Sequence, residues 1–184
     1  METKTCTLCG ATDGTRSIPS WALRLSNLDV IDEVGSGETN FGYMWVGGVV
    51  PITDIITGTP KIQIGGGKLT IEFDTPKSEK MRSISIEAAG SATITNDAES
   101  YLRYDFCNSD ASHQLVCSDG TDSDAGLIYV DANVTINGND GSGNTFSNDS
   151  LKKGWNFIVY NNSSLTYTSA SKTLPAGFAW RIIY

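Results

Sequence analysis

The chain has 184 residues with 21 acidic and 13 basic side chains, a formal net charge of -8. Ser, Thr, Asn, Asp and Gly together make 84 of the 184, while charged residues are 18% and apolar ones 39%. That length supports one domain with its own core, the composition predicts many short strands joined by polar turns, and no apolar run approaches the roughly 18 residues of a membrane-spanning helix.

The charge is uneven. Between Ser83 and Leu151 stand eleven acids and a single base, Arg103, whereas the rest holds ten acids and twelve bases. So acidic a middle repels phosphate backbones and anionic lipid, which argues against nucleic acid as a partner.

The first 16 residues read as a tail or edge segment, with one domain over 17–184. From Ser17 to Val34 two periods compete: Trp21, Leu25 and Leu28 fall at helical spacing, while Trp21, Leu23 and Leu25 alternate as in a strand. Beyond Gly35-Ser36-Gly37 the period is two. Phe41, Tyr43 and Trp45 share one expected inward face. Ile62 and Ile64, then Gly65-Gly66-Gly67, then Leu69, Ile71 and Phe73 predict a hairpin. Ile84 and Ile86, Ala92 and Ile94, and Leu102, Tyr104 and Phe106 continue the pattern. From Leu127 to Asn137, Ile128, Val130, Ala132, Val134 and Ile136 alternate with Tyr129, Asp131, Asn133, Thr135 and Asn137, which predicts one long half-buried strand with Tyr129 facing water. Trp155, Phe157 and Val159, Leu165 and Tyr167, and Phe178, Trp180 and Ile182 open the last strands. About ten or more short strands without a long helix predict an all-β antiparallel sandwich, jelly-roll-like, with a closed barrel as the alternative. The apolar C-terminal strand is expected inside a sheet, not at its edge.

Four cysteines occur: Cys6, Cys9, Cys107 and Cys117. Cys6-Thr7-Leu8-Cys9-Gly10 has the look of a zinc knuckle, but Cys107 and Cys117 are spaced too widely for the second half of an ordinary four-thiolate site. The other reading is disulfides in an exported protein. A Cys107–Cys117 bridge would stabilise by about 2–3 kcal/mol through loop closure. Met1-Glu2-Thr3-Lys4 lacks an apolar export segment, so an exported form would have carried its signal ahead of this sequence.

Two runs in the last third carry a resemblance. Gly126-Leu127-Ile128-Tyr129-Val130-Asp131 leads to Asn133-Val134-Thr135-Ile136-Asn137-Gly138, and Leu151-Lys152-Lys153-Gly154-Trp155-Asn156 precedes Leu174-Pro175-Ala176-Gly177-Phe178-Ala179-Trp180. This order resembles the C-terminal half of all-β exported lipoproteins of spirochaetes and other Gram-negative bacteria. Gly67-Lys68-Leu69-Thr70-Ile71 with Thr75-Pro76 is similar to their middle hairpin. The resemblance implies export to the periplasm, cell surface or exterior and a sandwich-like fold, and brings no catalytic residues with it. The lipid-attachment cysteine of such proteins is missing here.

Chemistry-bearing residues are sparse. His113 is the single histidine and no Gly-x-Ser-x-Gly elbow accompanies it, so a solvated loop is the expectation. Glu72, Asp74, Glu87, Asp105 and Asp131 are the strand carboxylates from which a glycoside hydrolase would draw its pair. Asp119, Asp122 and Asp124 crowd an oxygen-rich turn of a kind that can hold calcium, though Asx-turns alone explain it. Tyr129 and Tyr160 are the aromatics expected on outward faces, where they would stack on sugar rings, while Trp45, Trp155 and Trp180 are expected in the core. The resulting expectation is a surface binding protein contacting a glycan or another surface protein. A structural envelope component and a glycoside hydrolase are the alternatives.

Overall fold

The computed structural model describes residues 21–84, 90–103 and 105–184. Cys6, Cys9, the N-terminal tail, Ile86, Glu87 and Tyr104 lie outside the described residues. Within them the chain forms β1 (Leu23–Asp32), β2 (Tyr43–Trp45), β3 (Val49–Pro51), β4 (Lys61–Gly65), β5 (Lys68–Phe73), β6 (Arg82–Ser83), β7 (Thr93–Ile94) and β8 (Glu99–Arg103). There follow β9 (Asp105–Cys107), β10 (Gln114–Ser118), β11 (Ser123–Val130), β12 (Val134–Asn139), β13 (Thr145–Leu151), β14 (Gly154–Asn161), β15 (Thr166–Ser171) and β16 (Ala179–Ile183). Two short 3-10 turns, Ile52–Asp54 and Ser78–Lys80, complete the inventory.

The fold is all-β, and its ladders sort into two layers. One runs β4-β5-β1-β16-β10-β9-β2-β3 and the other β6-β8-β11-β14-β15-β13-β12-β7. Among the described residues their strand ladders join at the turn end of the β10–β11 hairpin, where Ser118 pairs with Asp124. The sheet does not close into a barrel: among the described residues the outermost strands β4 and β7 each pair on one side only. Nor is it wholly antiparallel, because β1 runs parallel to β16 and β13 parallel to β15.

The main core lies between the layers. Leu25, Ile71, Phe73, Phe106 and Trp180 come from the first layer, and Leu127, Tyr129, Trp155 and Phe157 from the second. A second cluster of Ile128, Val130, Ile158, Val134, Ile136, Phe146 and Leu151 covers the other face of β11 and β14. These two strands are therefore buried on both sides. That overturns the single long strand expected over Leu127–Asn137: β11 ends at Val130 and β12 starts at Val134. The intervening turn is pinned by Asp131, whose Oδ1 accepts the Glu99 N–H at 2.9 Å, and by Asn133, whose Oδ1 accepts the Lys153 N–H at 2.9 Å.

The ambiguous N-terminal segment is a strand, and its mixed period has a structural cause. Leu25 pairs with Ile71 and Leu28 with Leu69, so three steps on β1 match two on β5. This bulge sits at Asn27, at φ 59°, and it returns Leu28 to the inward face. A bulged strand thus imitates helical spacing. The β4–β5 hairpin forms as expected, with Ile62 opposite Ile71 and Ile64 opposite Leu69. Gly66 and Gly67 take φ of 58° and 71°, the pair of positive values that a tight hairpin turn demands. The run Leu102–Phe106 instead splits: β8 belongs to the second layer and β9 to the first. β16 lies between β1 and β10, inside the sheet as expected.

Cys107 and Cys117 are both buried and unbonded, contrary to the expected bridge. Gln114 stands opposite Cys107 in the β9–β10 ladder, leaving Cys117 three residues further along. That is about 10 Å of strand, and the odd offset turns the two side chains to opposite faces. A disulfide needs Cα atoms within about 7 Å. Burial pushes the Cys117 thiol up to about 12, with the Asp124 charge adding to it, and burial raises Cys107 as well. A Cys6→Ser/Cys9→Ser variant should therefore show no native thiol reactive toward Ellman's reagent within minutes, and two per chain in denaturant. A fast native thiol, or none after denaturation, would contradict this arrangement.

Candidate functional site

The two layers end side by side. The β2–β3 hairpin closes the first and β6 with β8 closes the second, and a cleft of ≈ 550 Å³ opens between these edges. That volume lies within the roughly 300–1,000 Å³ typical of small-molecule sites. Val46 and Val50 of the hairpin form one wall with buried Ile55. The same cleft is lined by Lys80 of the Ser78–Lys80 turn, Arg82 of β6, and Tyr101 and Arg103 of β8. Three cations thus face one acid, Glu79, in a chain whose net charge is -8. Trp45, the neighbour of Val46, is 52% exposed and not in the core as its alternation suggested.

Register explains why Arg103 arrives here. Tyr101 pairs with Tyr129 and Arg103 with Leu127, so both point toward the inter-sheet side. Tyr101 packs on the main core, while Leu102, on the opposite face, packs on the second cluster. The Arg103 Nε–H donates to the Tyr101 hydroxyl at 3.0 Å, and Cζ lies 5.5 Å from the Tyr101 ring centroid. That hydroxyl in turn donates to Met44 Sδ at 3.4 Å. The guanidinium is held by one nitrogen, and its two terminal NH2 groups have no acceptor among the described residues. None of the three cations joins an ion pair among the described residues; those formed are Arg24–Asp74, Lys68–Asp29 and Arg181–Glu33. Beyond Arg103 in sequence, burial raises the Asp105 carboxyl pKa, while the Arg103 charge pulls it down.

The residues expected to bind are placed differently. Tyr129 is only 6% exposed, edge-on to Trp155 with centroids 5.5 Å apart. Its outward assignment fails because β11 is covered on both faces. Tyr160 is half-buried, donates its hydroxyl to Asn144 Oδ1 at 2.9 Å and leans on Tyr167 at 4.8 Å. In the β11–β14 ladder Tyr129 stands opposite Trp155 and Tyr160 opposite Asp124. The two tyrosines are thus five residue pairs apart, about 17 Å, and on opposite faces. They do not form one platform.

Asp119 is committed to its own turn: Oδ1 accepts the N–H groups of Thr121 and Ser123 and the Thr121 hydroxyl. These bonds hold its carboxyl below the usual range. Asp122 accepts from the Ser163 hydroxyl, and Asp124 accepts from Asn162 Nδ2 at 3.2 Å. Among the described residues no three His, Cys, Asp or Glu side chains converge to hold a metal ion. His113 Nδ1 lies 3.0 Å from the Ser112 hydroxyl, which donates to Asp110 Oδ1 at 2.7 Å. Here the hydroxyl sits between imidazole and carboxylate, whereas base activation needs the imidazole in the middle. Of the strand carboxylates, Asp74 is paired with Arg24 at 2.7 Å and Asp131 caps the β11–β12 turn.

The cleft cations were not among the expected site residues. One sequence signal pointed to them: Arg103 is the sole base in the acidic middle, and Lys80 and Arg82 stand immediately before that stretch. Comparison with family models, curated proteins and solved structures finds no match. The site must speak for itself.

Proposed function

We propose that this protein is an exported or cell-surface binding module that takes a glycan in the cleft between the β2–β3 hairpin and β6–β8. The observation that carries the reading is the cleft's construction: the apolar side chains of Val46, Val50 and Ile55 line it together with the polar donors of Lys80, Arg82 and Arg103. Saccharides present this combination, with C–H faces beside hydroxyl groups. The likeness of the last third to exported β-rich lipoproteins supports the surface address, as does the high content of Ser, Thr, Asn and Gly. The glycan site moves from the tyrosines of β11 and β14 to the sandwich edge, because a cleft there gathers Lys80, Arg82 and Arg103 beside apolar side chains.

The test is a saccharide microarray probed with the whole chain and with a Val50→Trp variant. Val50 is half-buried in the wall, so the indole should fill the cleft and abolish retention on saccharides that the unmodified chain binds. No retention of any saccharide, or equal retention by the variant, would reject the reading.

A further inference from the structure

The geometry points to a saccharide bearing an oxyanion, carboxylate or sulfate, as the ligand of this cleft; this rests on the glycan reading above. Three cations with one acid line a small concavity, while the rest of the chain carries a marked excess of acid. Over the chain as a whole that excess repels polyanions at long range, which favours a small ligand with a single oxyanion over a polyanion. Arg103 is already oriented there: Nε is spent on the Tyr101 hydroxyl, and the ring of Tyr101 lies under the guanidinium. Its terminal nitrogens remain as a fork, the geometry that binds a carboxylate or sulfate through two parallel hydrogen bonds. Arg82 is exposed at the same edge, and its own strand is tied to β8 by the Ser100 hydroxyl donating to the Arg82 carbonyl at 3.2 Å. Both guanidinium groups are thus carried on paired strands, which limits the entropy lost on binding. Val46 and Val50 then meet the C–H face of the sugar ring.

The experiment is calorimetric titration with trigalacturonic acid, its fully methyl-esterified form and galactose 6-sulfate. The free acid or the sulfate should bind at least about tenfold more tightly than the neutral ester, with affinity falling as salt is raised. Whichever of the two binds identifies the oxyanion. Arg103→Gln and Arg82→Gln should each lose about tenfold toward the acid and clearly less toward the ester, so that the preference for acid over ester falls, whereas Lys61→Gln on the far edge strand should change neither. Arg82 is exposed, so its variant reports even if loss of Arg103 disturbs folding. Equal binding of acid and ester would overturn the oxyanion preference but leave the glycan reading standing. Binding of none of the three, with no retention on the array, would overturn both.

Discussion

Replacing Trp155 by alanine should cost about 3–5 kcal/mol, the range for deleting a buried Trp side chain, and a urea titration should show it as a large fall in midpoint. Trp155 is 1% exposed and packs on Phe73 and Tyr129 with centroids 5.6 and 5.5 Å away. Its indole N–H donates to the Asp74 carbonyl at 2.8 Å, joining the second layer to the end of β5 in the first. The same indole therefore fills the core and stitches the layers. Trp180 is the contrast: it is equally buried, but its Nε1 has no acceptor among the described residues. A buried donor without a partner costs about 1–3 kcal/mol, and phenylalanine removes that donor while keeping most of the ring. Trp155→Phe should consequently destabilise by more than Trp180→Phe, which should lie within about 1 kcal/mol of the unmodified chain. The reverse order would mean that the two indoles are not placed as described.

Asn156→Leu should destabilise by roughly 2 kcal/mol, because the Lys152 N–H and the buried Gly154 carbonyl lose their side-chain partner together. Asn156 is 1% exposed on the face of β14 away from the main core. Its Oδ1 accepts the Lys152 N–H at 3.0 Å, and its Nδ2 donates to the carbonyls of Lys152 and Gly154, both at 2.8 Å. Lys172 closes the same turn from outside, donating to the carbonyls of Lys152, Lys153 and Trp155 at 3.1, 3.0 and 2.5 Å, and burial pulls its pKa down to about 8. The informative variant is Asn156→Asp. A carboxylate there would aim an oxygen at two carbonyls that need a donor, so it would favour the protonated form and its folded pKa would be raised. The folded state would then bind the extra proton, and stability relative to the unmodified chain would be greatest at low pH and lost as pH rises through the raised pKa. Denaturation midpoints at pH 4 and pH 7 read this directly. A variant penalised equally at both would show that the amide does not meet those carbonyls.

The strands were legible in the sequence where each has one wet face. Ile62, Ile64, Leu69, Ile71 and Phe73 alternate because their partners Lys61, Gln63, Lys68 and Glu72 meet solvent or half-exposed surroundings. That alternation is a direct record of burial, so the hairpin and its Gly66–Gly67 turn could be read without a structure. Where burial is two-sided the record is lost. Along β11, Tyr129 and Val130 are both inside, and period two no longer says which side is water.

The candidate site was less visible for a related reason. Local sequence determined that the protein is all-β, that its middle is acidic, that Trp155 and Trp180 are core and that the C-terminal strand lies within a sheet. Burial period and composition are summed over neighbouring residues and need no knowledge of distant ones. Only the tertiary structure decided which layer each strand joins, that Cys107 and Cys117 face opposite sides, and that Tyr129 is covered. It alone also brought Val46, Lys80, Arg82 and Arg103 to one cleft. These follow from strand pairings between residues far apart in the chain, such as β2 with β9 and β6 with β8. Pairing of that kind is selected by the packing of the whole sandwich, and leaves no periodic mark on either strand alone.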